Sequence, residues 1–133
     1  MREILFRGKS KDTGKWVYGN LIQQAKMFYI GVLDLRTKER KMESYGEPLD
    51  IFVDPKTVGQ YTGITDINEK KIFEKDIVKV ELADGEYFTT GYIREDEASF
   101  VVFGKDKGKA MSVSDEYEVI GNLCDNPELS KEV

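Results

Sequence analysis

The sequence contains no histidine and a single cysteine, Cys124. Without histidine the commonest general base is missing, and neither a Ser-His-Asp triad nor a Cys-His pair can form within one chain. One thiol and no imidazole also exclude a Cys/His zinc centre and an internal disulfide. Cys124 is therefore expected as a free, buried, small hydrophobe. Long apolar runs are missing too: no stretch approaches the roughly 20 residues that a membrane helix needs. The opening Met1-Arg2-Glu3-Ile4-Leu5-Phe6-Arg7 holds too few apolar residues for the core of a secretion signal. Together these features point to a reducing, cytoplasmic setting and to no membrane partner. A phosphate-cradling loop is also lacking. Val58-Gly59-Gln60-Tyr61-Thr62-Gly63 has neither the lysine of a P-loop nor the spacing of a dinucleotide fingerprint.

Carboxylates remain available for chemistry. Asp84/Glu86 and Glu95/Asp96/Glu97 are local clusters, but acidic turn tips serve solubility, and catalytic pairs need a cleft that spacing alone does not show. Glu69-Lys70-Lys71 and Glu39-Arg40-Lys41 contain the Glu-x-Lys step of a metal-dependent nuclease, which keeps a metal-dependent hydrolase as a remote alternative. No supporting acidic partner accompanies either triplet. Asp66-Ile67-Asn68 resembles the start of a calcium loop without its glycine or distant glutamate, so a side-chain-built turn is the expected use. No catalytic residue, metal ligand or cofactor is assigned, and the protein is not expected to be an enzyme.

What is present is a chain of 133 residues with 20 Lys+Arg against 25 Asp+Glu, a formal charge of −5. The charge is unevenly placed: residues 1–60 hold 11 basic and 8 acidic side chains, and residues 61–133 hold 9 and 17. An acidic second half opposes phosphate binding there. In the first half Arg36, Lys38, Arg40 and Lys41 form one short basic cluster, expected on a solvated hairpin or loop. It is the candidate contact in a second functional reading, nucleic-acid binding. The one Trp, seven Tyr and seven Phe are expected mainly in a β core, with some at a subunit interface.

The dominant hydrophobic period is two. Strands are expected at Glu3–Arg7, Trp16–Ile22, Phe28–Leu33, Ile51–Val53, Ile77–Leu82, Tyr87–Ile93, Ser99–Phe103 and Tyr117–Ile120. The turn at 11–15 joins the first two as a hairpin. Asp84-Gly85 signals another hairpin, Gly91 a bulge or bend, and Lys105–Lys109 a further tip. Asn126 and Pro127 suit the cap and first position of a short helix. The expected architecture is mainly β. An N-terminal antiparallel unit, 1–57, is followed by an ordered connecting loop, 58–72. The loop leads to an SH3-like small barrel, 73–124, on which the first unit packs, and to a C-terminal helix or tail, 125–133.

Three stretches resemble the YopX proteins of bacteriophages and of prophages in Gram-positive bacteria. They are the opening Met1–Arg7, the long block Val58–Asn68 with its continuation Lys71–Val78, and the closing Tyr117–Asn122 with Asn126–Leu129. The resemblance implies a mostly β fold with an SH3-like C-terminal barrel, and no established reaction, cofactor or catalytic residue. Within the central block the expected roles are structural. Gly59 and Gly63 permit tight backbone geometry, Tyr61 and Phe73 anchor the connection, Asp66 and Asn68 build a turn, and Asp76 satisfies backbone N–H groups where a strand begins. Glu69 and Lys75 stand where the family pattern has glycine, and Asn68 is expected to take the positive φ. The leading expectation is a non-enzymatic phage accessory protein acting through contacts with host or phage proteins and with itself as a homo-oligomer.

Overall fold

A computed structural model describes residues 3–81, 88–96, 99–104, 110–112 and 116–130. Backbone contacts divide the chain into residues 1–61 and 62–133. In the first unit β1 (Phe6–Lys9), β2 (Trp16–Gln24), β3 (Met27–Val32) and β4 (Asp50–Val53) precede a single 3₁₀ turn, Pro55–Thr57, and β5 (Gly59–Thr65) begins. All pairings are antiparallel, in the order β4-β3-β2-β1-β5. Alternation along each strand creates two faces. One carries Ile30, Val32 and Val53, fully or almost fully buried, with Phe6, Val17, Leu21, Phe28 and Ile51 packed on them. The end of β4 turns back onto the end of β1. Ser10 bridges Val53, the Lys11 N–H donates to Phe52 O at 3.0 Å, and the Asp54 N–H donates to Lys9 O at 3.0 Å. Asp54 then caps the 3₁₀ turn, and Pro55 occupies its first position, where no N–H is needed.

The second unit holds the remainder of β5, then β6 (Lys71–Phe73), β7 (Asp76–Glu81), β8 (Phe88–Asp96), β9 (Ser99–Gly104), β10 (Ala110–Ser112), β11 (Glu118–Asn122) and a single helical turn, α1 (Pro127–Ser130). Its five-stranded antiparallel sheet runs β10-β9-β8-β7-β11. Ile72, Val78, Ile93 and Tyr117 form its core, with Ile64 and Val119 against them. Counted from β1 and from β7, the strands β1–β5 and β7–β11 therefore follow the same order: fourth, third, second, first, fifth. Among the described residues no pairing joins β10 to β11, and no closed barrel is formed.

Several expectations change. The first strand starts at Phe6 rather than Glu3. Leu5 is buried, and its carbonyl accepts the Tyr61 N–H at 2.8 Å. The segment expected as a loop, 58–72, is mostly strand: Gln60, Tyr61, Thr62, Ile64 and Thr65 have β-favouring alternation, and pairing with β1 and β6 overrides the glycines. Gly91 stays in regular register with Val78 and Gly104; the irregularity lies instead between Val119 and Gly121 on β11. Glu69, not Asn68, takes the positive φ, at 65°, and Lys75 does so at 73°. Cys124 is half-buried rather than buried. The Asp84-Gly85 turn and the Lys105–Lys109 tip lie outside the described residues.

Candidate functional site

The first unit's second face is built by cross-strand register. Lys9 lies opposite Trp16 and Arg7 opposite Tyr18. Residues directly opposite in an antiparallel pair share a face, so two cations of β1 sit beside two aromatic rings of β2. The Arg7 guanidinium carbon is 4.4 Å from the Trp16 ring centroid, and Lys9 Nζ is 5.5 Å from it. The positively charged groups meet the negative ring face. Further along the same face, Tyr29 pairs with Phe52, ring centroids 5.4 Å apart, and Lys11 Nζ lies 5.9 Å from the Phe52 ring.

Beyond β3 the chain makes the expected hairpin tip. Leu33 bridges Arg40, and the Asp34 carboxylate accepts the N–H groups of Arg36 at 2.8 Å and Thr37 at 3.2 Å. Those backbone hydrogen bonds hold the Asp34 carboxyl below its ordinary range. This tip and the start of β2 border an open, shallow groove of about 450 Å³. Trp16, Tyr18, Leu33, Leu35, Asp34, Arg36 and Lys41 line it, together with Val17 and Val32. The structure thus separates the four basic candidates. Arg36 and Lys41 face the groove. Lys38 bonds to the Glu3 carboxylate, and Arg40 pairs with Asp50 Oδ1 at 2.5 Å. Trp16 and Tyr18 were not singled out from sequence. The signal that finds them is the mirrored pattern Arg7-x-Lys9 and Trp16-x-Tyr18 across one hairpin.

The structural motif lies elsewhere. Gly59 and Tyr61 fall in the first unit, both buried in β5. Gly63 adopts φ 91° in the same strand, where a side chain would be strained. Asp66 is a buried hub: Oδ1 accepts the N–H groups of Asn68 and Lys70, each at 2.8 Å, and Oδ2 accepts the Val119 N–H at 2.9 Å. Burial alone pushes the Asp66 carboxyl up; the three backbone donors and the Lys70 charge outweigh it and hold it below its ordinary value. The Asn68 amide reaches toward Glu118 at 3.5 Å. Phe73 is buried in β6, and Asp76 Oδ2 accepts its N–H at 2.8 Å across the turn into β7. Among the described residues, no three acidic or thiol side chains gather to hold a metal ion, and no helix is long and apolar enough to cross a membrane.

A family model described as YopX protein matches residues 5–131. The chain belongs to the YopX family. A comparison with curated proteins finds no match. Among solved structures, protein EF1440 from Enterococcus faecalis is similar, with a TM-score of 0.53 and 19% identity over 97% of this chain and 99% of that one. That likeness concerns the fold. Within this YopX chain, Asp66 ties the central block directly to the Tyr117–Asn122 stretch, through Val119 and through the Ile67 N–H on Tyr117 O at 2.9 Å. Two of the stretches that carry the YopX resemblance are thus one structural joint.

Proposed function

We propose that this YopX protein is a non-enzymatic phage or prophage accessory protein of the bacterial cytoplasm, acting by binding proteins, itself included. The observation that supports the reading is the excursion between β3 and β4. Met42 and Tyr45 stand there 55% and 74% exposed, beside a Met42–Pro48 bridge that shapes the segment. Exposed methionine and aromatic side chains are the residues that protein interfaces favour. The SH3-like description is extended to both units, on the grounds of their shared strand order and of the 3₁₀ turn between the fourth and fifth strands of the first. Sedimentation equilibrium over a range of concentrations tests self-association. A dimer or higher oligomer that Met42→Asp with Tyr45→Asp dissociates is expected; a strict monomer at high concentration removes that part of the reading.

A second reading, nucleic-acid binding, is favoured by the aromatic groove with Arg36 and Lys41 on its wall. Single-stranded nucleic acids are held by aromatic rings combined with positive charge.

A further inference from the structure

We propose that the groove at the start of β2 is a binding site for single-stranded nucleic acid, with a base stacked at Trp16 and Tyr18 and phosphates held by Arg36 and Lys41. The proposal rests on the second reading above and deepens it, giving each groove residue a role and the site a preference for single strand over duplex. Three observations carry it. The groove combines two partly exposed aromatic rings with two exposed cations on the hairpin tip. Arg7 and Lys9 lie within 4.4 Å and 5.5 Å of the Trp16 ring centroid, which keeps the local potential positive beside the ring. The one carboxylate in the lining, Asp34, bonds to the backbone of its own tip and lies within reach of the Lys41 charge, and against it the two cations leave the lining net positive.

A single strand fits this chemistry better than a duplex. Its bases are unstacked and can be splayed onto a ring, whereas a duplex hides their faces. The surrounding unit carries 11 basic against 8 acidic side chains over residues 1–61, so phosphate is not repelled.

Because Trp16 is the sole tryptophan, its fluorescence reports the site directly. The full chain is titrated with labelled oligo(dT) and oligo(U), a duplex of equal length and thymidine monophosphate, at about 50 mM and about 200 mM salt. Expected are saturable single-strand binding, quenching of Trp16 emission, and weaker binding at the higher salt. Trp16→Leu should weaken binding roughly five- to hundredfold. Arg36→Gln with Lys41→Gln, both at exposed positions, should lower the log–log salt slope by about 1.4 with the fold intact by circular dichroism. Strand binding that leaves Trp16 emission and both variants unchanged overturns the groove while the nucleic-acid reading survives. Equal affinity for duplex or for the mononucleotide overturns the single-strand assignment. Absence of any nucleic-acid binding at the lower salt overturns the proposal and the second reading together.

Discussion

Glu69 and Lys75 occupy left-handed backbone at φ 65° and 73°, where a side chain costs about 1 kcal/mol or more. Lys75 is held there on both sides: its N–H donates to Ile93 O at 2.7 Å and its carbonyl accepts the Leu123 N–H at 2.8 Å. The turn geometry is therefore imposed by neighbouring strands rather than by local preference. Glu69→Gly and Lys75→Gly should each stabilise the protein by about 0.5–1 kcal/mol, the relieved strain exceeding the added freedom of the unfolded chain. A rise in the urea midpoint at constant slope checks this. Gly19 presents the opposite case. A Cβ built there would lie 2.0 Å from the carbonyl oxygen of Gly31, a backbone atom of β3 that cannot step aside. Gly19→Ala should cost about 3 kcal/mol or more, or prevent folding, as judged by the same unfolding curve.

At the scale of elements, the Asp66 turn acts as a clasp between β5–β6 and β11. Asp66→Asn keeps an oxygen for Asn68 and Lys70 but sets an amide donor against the Val119 N–H. A loss of about 1–3 kcal/mol is expected. The pH dependence has a definite sign. The folded carboxyl is held below its unfolded value, so its contribution is present above about pH 4 and is lost as pH falls through the folded value. Asp66→Asn should therefore destabilise at neutral pH and flatten the acid limb of the stability curve; parallel acid limbs for both proteins would disprove the clasp. The turn itself was legible, because Asp-x-Asn is a local signal. Its attachment to Val119 was not, since the partner is 53 residues away. For the same reason β5 reads locally as loop: Gly59 and Gly63 argue against strand until β1 supplies a partner.

For the whole molecule, charge and architecture divide together. The contact boundary falls at Tyr61/Thr62. The first unit carries an excess of three basic residues by its 11 against 8, and the second an excess of eight acidic by its 9 against 17. A polyanion meets less electrostatic repulsion at the first unit than at the second. The strand sets β1–β5 and β7–β11 share one order without a sequence repeat. Strand order depends on which edges find each other, and many alternating sequences satisfy one arrangement.

The amino-acid sequence by itself determined the mainly β class, the position of most strands, the hairpin tip at Arg36–Lys41 and the division of charge. These follow from alternation, turn chemistry and composition, all of which act over a few residues or a simple count. Tertiary structure alone decided that Arg7 and Lys9 meet Trp16 and that Lys38 and Arg40 turn to carboxylates while Arg36 and Lys41 line the groove. It also decided that Asp66 closes onto β11. Each of these is a long-range pairing, set by register and burial between segments that no local pattern connects.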